Sequence, residues 1–109
     1  MPKPIGFIQL TLIASEEEGG YASVCPELGI ASQGENAGEA LANLRDAACV
    51  FLNTIEQLGQ RERVFKERHI KIHLHEPTEG KIKLQPFQIG SFLVAPIGPS
   101  RHKSALVKA

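Results

Sequence analysis

With 109 residues the chain has the size of one domain, able to bury roughly 65% of the surface its extended form exposes. Hydrophobic content of 42% and charged content of 22% are ordinary for a soluble globular protein. No apolar run approaches the roughly 18 residues of a membrane helix, and no basic region with a cleavage site frames the apolar residues 5–14, so a cytoplasmic protein is expected.

The net charge of zero hides a lopsided distribution. Residues 1–40 carry one cation, Lys3, against six glutamates, whereas residues 61–109 carry ten lysines and arginines against four glutamates. Such asymmetry predicts an acidic face and a basic face with different partners.

Residues 6–14 alternate, with Ile8, Leu10 and Leu12 on one side and Gln9 and Thr11 on the other, which predicts a half-buried strand. Glu16, Glu17, Glu18, Gly19 and Gly20 then read as a turn, residues 21–25 as the returning strand, and Pro26 as its stop. A third short strand is expected over residues 29–33, ending at Gly34. Three such strands joined by short turns make an antiparallel meander.

A long helix follows. Asn36 is a suitable N-cap, with Glu39 three residues on in a capping-box arrangement. Ala37, Ala40, Leu41, Leu44, Ala47, Ala48, Phe51, Leu52, Ile55 and Leu58 recur at steps of three and four, describing a stripe that must lie on the sheet. Gly59 marks the C-terminal cap. A short helix is expected over residues 60–68, and the alternation in residues 69–75 (HIKIHLH) predicts a strand with Ile70, Ile72 and Leu74 inward. A further strand is conceivable over 81–84, and beyond Pro86 the pattern weakens, although Phe92, Leu93 and Val94 look able to pack. The expectation is therefore an α+β domain over residues 1–97, β-β-β-α-β, a three-stranded meander plus a further strand packed on one long amphipathic helix, followed by a mobile basic tail, 98–109.

Chemistry is hard to find in this chain. There is a single aspartate, Asp46, so neither a carboxylate cluster for two-metal hydrolysis nor a Ser-His-Asp arrangement can be assembled. Cys25 and Cys49 form no metal-type CxxC and are expected to be two buried free thiols. His69, His73 and His75 would share a strand face with Lys71, whose charge disfavours a metal between them. No phosphate-cradling glycine motif occurs. Arg61, Arg63, Lys66 and Arg68 in the short helix offer phosphate contacts, but no paired-helix DNA-binding pattern follows residue 76, where Pro77, Pro86, Pro96 and Pro99 intervene. No enzyme activity, cofactor or metal is expected.

The run GGYASVCPELGIASQGENAGEALANLRDA, residues 19–47, resembles the signature of the HicB-like antitoxin family: a Gly-Tyr strand, Cys-Pro-Glu-Leu, a Gln-Gly turn, and a helix opening on Glu-Ala-Leu-x-Asn-Leu. The likeness covers about the first sixty residues. It implies a partial ribonuclease-H-like domain, here without the C-terminal DNA-binding domain that many members append, and hence no expected contact with nucleic acid. It implies a partner as well, a small basic HicA-type toxin that cleaves messenger RNA and is neutralised by binding. Glu16, Glu17, Glu18, Glu27 and Glu35 are the candidate contacts for such a partner. Tyr21, Pro26, Gly34, Ala40, Leu41 and Leu44 match the signature, with structural work implied. The alternative is a solitary homo-oligomeric regulatory or ligand-binding module with no toxin, and self-association is expected in either case.

Overall fold

The computed structural model describes residues 4–78 and 82–99. The chain runs β1 (Gly6–Glu17), β2 (Gly20–Cys25), β3 (Ile30–Gly34), α1 (Ala37–Gln57), α2 (Arg61–Glu67) and β4 (Gln88–Ile97). The four strands form one antiparallel sheet in the order β3-β2-β1-β4, and α1 lies across one face of it. The α+β class, the meander and the long helix thus stand as the sequence predicts.

β1 organises everything else. Ile8, Leu10, Leu12 and Ala14 are fully buried under α1, and their alternation with half-exposed neighbours reproduces the period of two in the sequence. Against them α1 sets Ala40, Leu44, Ala48 and Ile55, with Leu41, Phe51 and Leu52 partly buried at the flanks. Leu58, expected to extend that stripe, is 63% exposed because the helix has ended: it is the C-cap, and Gly59 turns the chain at φ 68°. Asn36 caps the other end, its side chain accepting from the Glu39 backbone N–H at 2.8 Å. The Glu39 carboxylate reaches back to the Glu35 N–H at 3.1 Å, one residue ahead of the cap itself.

Small residues set the spacing between helix and sheet. A side chain at Gly34 would come within 2.5 Å of the Ala40 backbone nitrogen, so β3 and the first turn of α1 touch main chain to main chain. Ser23, buried on the neighbouring β2, donates its hydroxyl to the Ala40 carbonyl at 2.8 Å, giving a polar group under a helix the partner it needs.

Three expectations change. β1 extends to Glu17, so Glu16 and Glu17 are strand residues paired with Tyr21 and Gly20, and the turn is confined to Glu18 and Gly19. Residues 69–75 are not a strand. His69 takes φ 57°, Leu74 is 80% exposed, and only His73 bridges β1, at Phe7. β2 covers one edge of β1 from residue 13 onward, leaving room below it for that single bridge.

The fourth strand instead comes from residues 88–97. They pair with β1 along ten consecutive positions, from Gly6 with Ile97 to Ser15 with Gln88. Of the conceivable strand over 81–84, Lys81 lies outside the described residues. The rest is not strand, and Ile82 and Leu84 instead rest against Gly90. Most of the tail expected over 98–109 also lies outside the described residues.

Candidate functional site

The β1–β2 hairpin and the start of α1 converge at one end of the sheet. Gly19, at φ 88°, makes the hairpin tight, and this places Glu16, Glu17 and Glu18 beside Glu35, which follows β3 directly. Two adjoining hollows of about 540 and 490 Å³ lie here. The first is lined by Glu17, Glu18, Tyr21, Glu35, Glu39 and Asn43 among others, and the second adds Glu16. Four of the five candidate contacts are therefore gathered into one acidic groove, together with Glu39.

Tyr21 forms part of its wall. It pairs with Glu16 on one side and Gly34 on the other, and its hydroxyl donates to Glu16 Oε2 at 3.2 Å. That bond, reinforced by the negative charge of Glu16, raises the tyrosine above its ordinary pKa of 10.0, so the phenol stays protonated and holds the carboxylate. On the far side Asn43 donates to the Gln33 carbonyl at 2.9 Å, tying the helix to β3 at the rim. The groove is thus a junction of hairpin, strand and helix rather than a loop cluster.

Glu27 lies elsewhere. Its two carboxylate oxygens accept from the Thr11 backbone N–H and from Thr11 Oγ1, continuing the ladder along β1 where β2 has ended. Sequence reasoning had no means of seeing this, because the contact joins residues sixteen positions apart across a turn.

Of the residues matching the resemblance, Leu44 and Ala40 are fully buried, Leu41 is partly buried, and Gly34 gives α1 its close approach. Pro26 opens the turn after β2, which the Gly29 N–H closes onto the Cys25 carbonyl at 2.9 Å.

The cysteines part company. Cys25 is buried, and burial pushes its thiol up to about 11, with the Glu27 carboxylate adding to the push and the Leu28 backbone N–H opposing it. Cys49 is exposed, contrary to the expectation of two buried thiols, because it sits at the flank of α1, beside an open hollow towards α2 and β4, one position past buried Ala48. The histidine row also dissolves with the strand that was to carry it. No group of three or more His, Cys, Asp or Glu side chains among the described residues converges as metal ligands.

Of the four cations assigned to the basic helix, Arg61 and Arg63 have partners within the chain, and Lys66 and Arg68 are exposed. Arg61 is buried, 3.2 Å from Glu56 and donating to the Gly98 carbonyl at 2.6 Å. Arg63 bonds Glu67 at 3.0 Å and Gln60 at 3.1 Å. Among the described residues no helix is long and apolar enough to cross a membrane. Comparison with protein-family models, with curated proteins and with solved structures finds no match.

Proposed function

We propose that this protein is a non-enzymatic, antitoxin-type binding domain that neutralises a small basic protein of the HicA toxin kind by seating it against the acidic groove. The observation that carries the reading is the convergence of Glu16, Glu17, Glu18, Glu35 and Glu39 on one junction of hairpin, strand and helix. A concentration of one charge speeds encounter with a partner of opposite sign and rejects partners of like sign. An RNA-cleaving toxin must present a basic surface to its substrate, so an acidic protein that covers the surface competes with RNA directly. The sequence resemblance of residues 19–47 points the same way. Glu27, engaged by Thr11, is not part of this surface.

The test is expression of the tagged chain together with the small reading frame beside its gene. Retention of a basic partner on the tagged chain and relief of that partner's growth arrest are expected. Replacing Glu17, Glu18 and Glu35 by Gln together should weaken the complex by about tenfold or more, chiefly at low salt. A chain that retains no such partner and rescues no growth arrest defeats the proposal.

A further inference from the structure

The two edges of the sheet are unlike. β3 is five residues long and its outer side is tied to α1 through Asn43. β4 is ten residues long, and α1 lies chiefly over the other three strands. Its backbone groups can be assigned a direction. Phe7 exchanges both of its main-chain bonds with His73, at 2.8 and 2.7 Å, on the side of β1 away from β4. Phe7 and Pro96 are therefore a non-hydrogen-bonded pair, and by the alternation of an antiparallel ladder so are Gln9 with Val94 and Thr11 with Phe92. Thr11 agrees, since its N–H goes to Glu27. The N–H and C=O groups of Phe92 and Val94 consequently point outward, and none of the described residues bonds to them.

We propose that this edge pairs antiparallel with β4 of a second copy, about a two-fold axis at Leu93. In that register Phe92 faces Val94 of the other copy and Val94 faces Phe92, each pair exchanging both of its N–H···O bonds. The ends of the window close it. Pro96 has no N–H to offer, and at the other end Gln88 donates to the Gln85 carbonyl at 3.0 Å.

Charge selects the occupant. Residues 84–99 contain not one charged side chain in a protein that is 22% charged, so the strand lacks the lysines that ordinarily keep edges apart. A copy of the same strand meets no repulsion and no unpaired charge, whereas a basic or acidic segment would gain nothing there. Apolar side chains left uncovered on this strand, Ile89 at 48% exposure among them, gain neighbours on pairing. The window is short and the contact correspondingly small, so micromolar self-association is the expected strength. The inference is independent of the acidic groove, which lies at the hairpin end.

Sedimentation of the purified full chain over a range of concentrations reads it directly. A monomer–dimer equilibrium is expected, with the Phe92 and Val94 amides exchanging more slowly as concentration rises. Val94→Pro removes an outward N–H without touching the pairing to β1, and should weaken the dimer about tenfold or more while leaving circular dichroism unchanged. Because any edge proline can fail to fold, Leu93→Cys in a Cys49→Ser background gives a second readout. Two cysteines at a non-hydrogen-bonded antiparallel pair are close enough to form a disulfide on mild oxidation, so a covalent dimer is expected. A wild type that stays monomeric at the highest concentrations, a folded Val94→Pro that dimerises normally, or a folded Leu93→Cys that never cross-links would each overturn the proposal.

Discussion

The carboxylate of Glu27 accepts two hydrogen bonds from Thr11, one from its backbone N–H at 2.9 Å and one from its hydroxyl at 2.7 Å. A side chain thereby stands in for a strand at the point where β2 has turned away and β1 continues. Glu27→Ala removes both acceptors and leaves a strand N–H unsatisfied, so a loss of about 1–3 kcal/mol is expected in urea unfolding. Glu27→Gln keeps one carbonyl acceptor and should recover part of it. If both variants unfold like the wild type, solvent replaces the carboxylate and the clamp is dispensable.

Gly34 admits no side chain. Its substitution by Ala drives a methyl group against the Ala40 backbone, which cannot swing aside as a flexible side chain would. We expect a loss of about 1–3 kcal/mol, comparable to overpacking a core, and a groove whose two walls have moved apart. Thermal unfolding monitors the first, and partner binding the second. An unchanged melting temperature would mean that α1 shifts on β3 at no cost.

Leu44, fully buried at the centre of the helix stripe, should cost about 2–5 kcal/mol when cut to Ala, whereas the same change at exposed Leu58 should cost little. Equal losses at the two sites would contradict the burial described for α1.

The two thiols should separate by rate. At neutral pH an alkylating reagent is expected to modify exposed Cys49 quickly and Cys25 only on unfolding. The burial that protects Cys25 also makes the fold alkali-sensitive. A thiol whose pKa rises from 9.0 to about 11 on folding favours the native state fully below pH 9.0, and that contribution fades as pH climbs towards about 11. Cys25→Ala should flatten this part of the pH–stability curve, and an unaltered slope would assign it to other groups.

Much of the fold was legible because several local signals agreed. The alternation of Ile8, Leu10 and Leu12, the Asn36–Glu39 cap and Gly59 each defined an element within two or three residues of where it lies. What escaped was decided at long range. HIKIHLH alternates as well as β1 does, yet the edge of β1 it would need is already held by β2 and Glu27. β4 hid behind Gly90 and Pro96, two residues that interrupt strands, and its apolar residues fall on both faces, so no period of two appears. Of the groove, the glutamates and their order were readable from the sequence. The exclusion of Glu27 was not, and neither was the capture of Arg61 by Glu56 and Gly98, since both depend on partners that only the closed sheet supplies.

Arg61 rivets the end of β4 to the end of α1, and the groove opens beside the beginning of α1. A helix of 21 residues lies between them, about 30 Å of it. Gly98, where Arg61 holds the chain, therefore lies at an end of the sheet well away from the glutamates. A contact made at that end of the sheet would leave the acidic mouth open to solution.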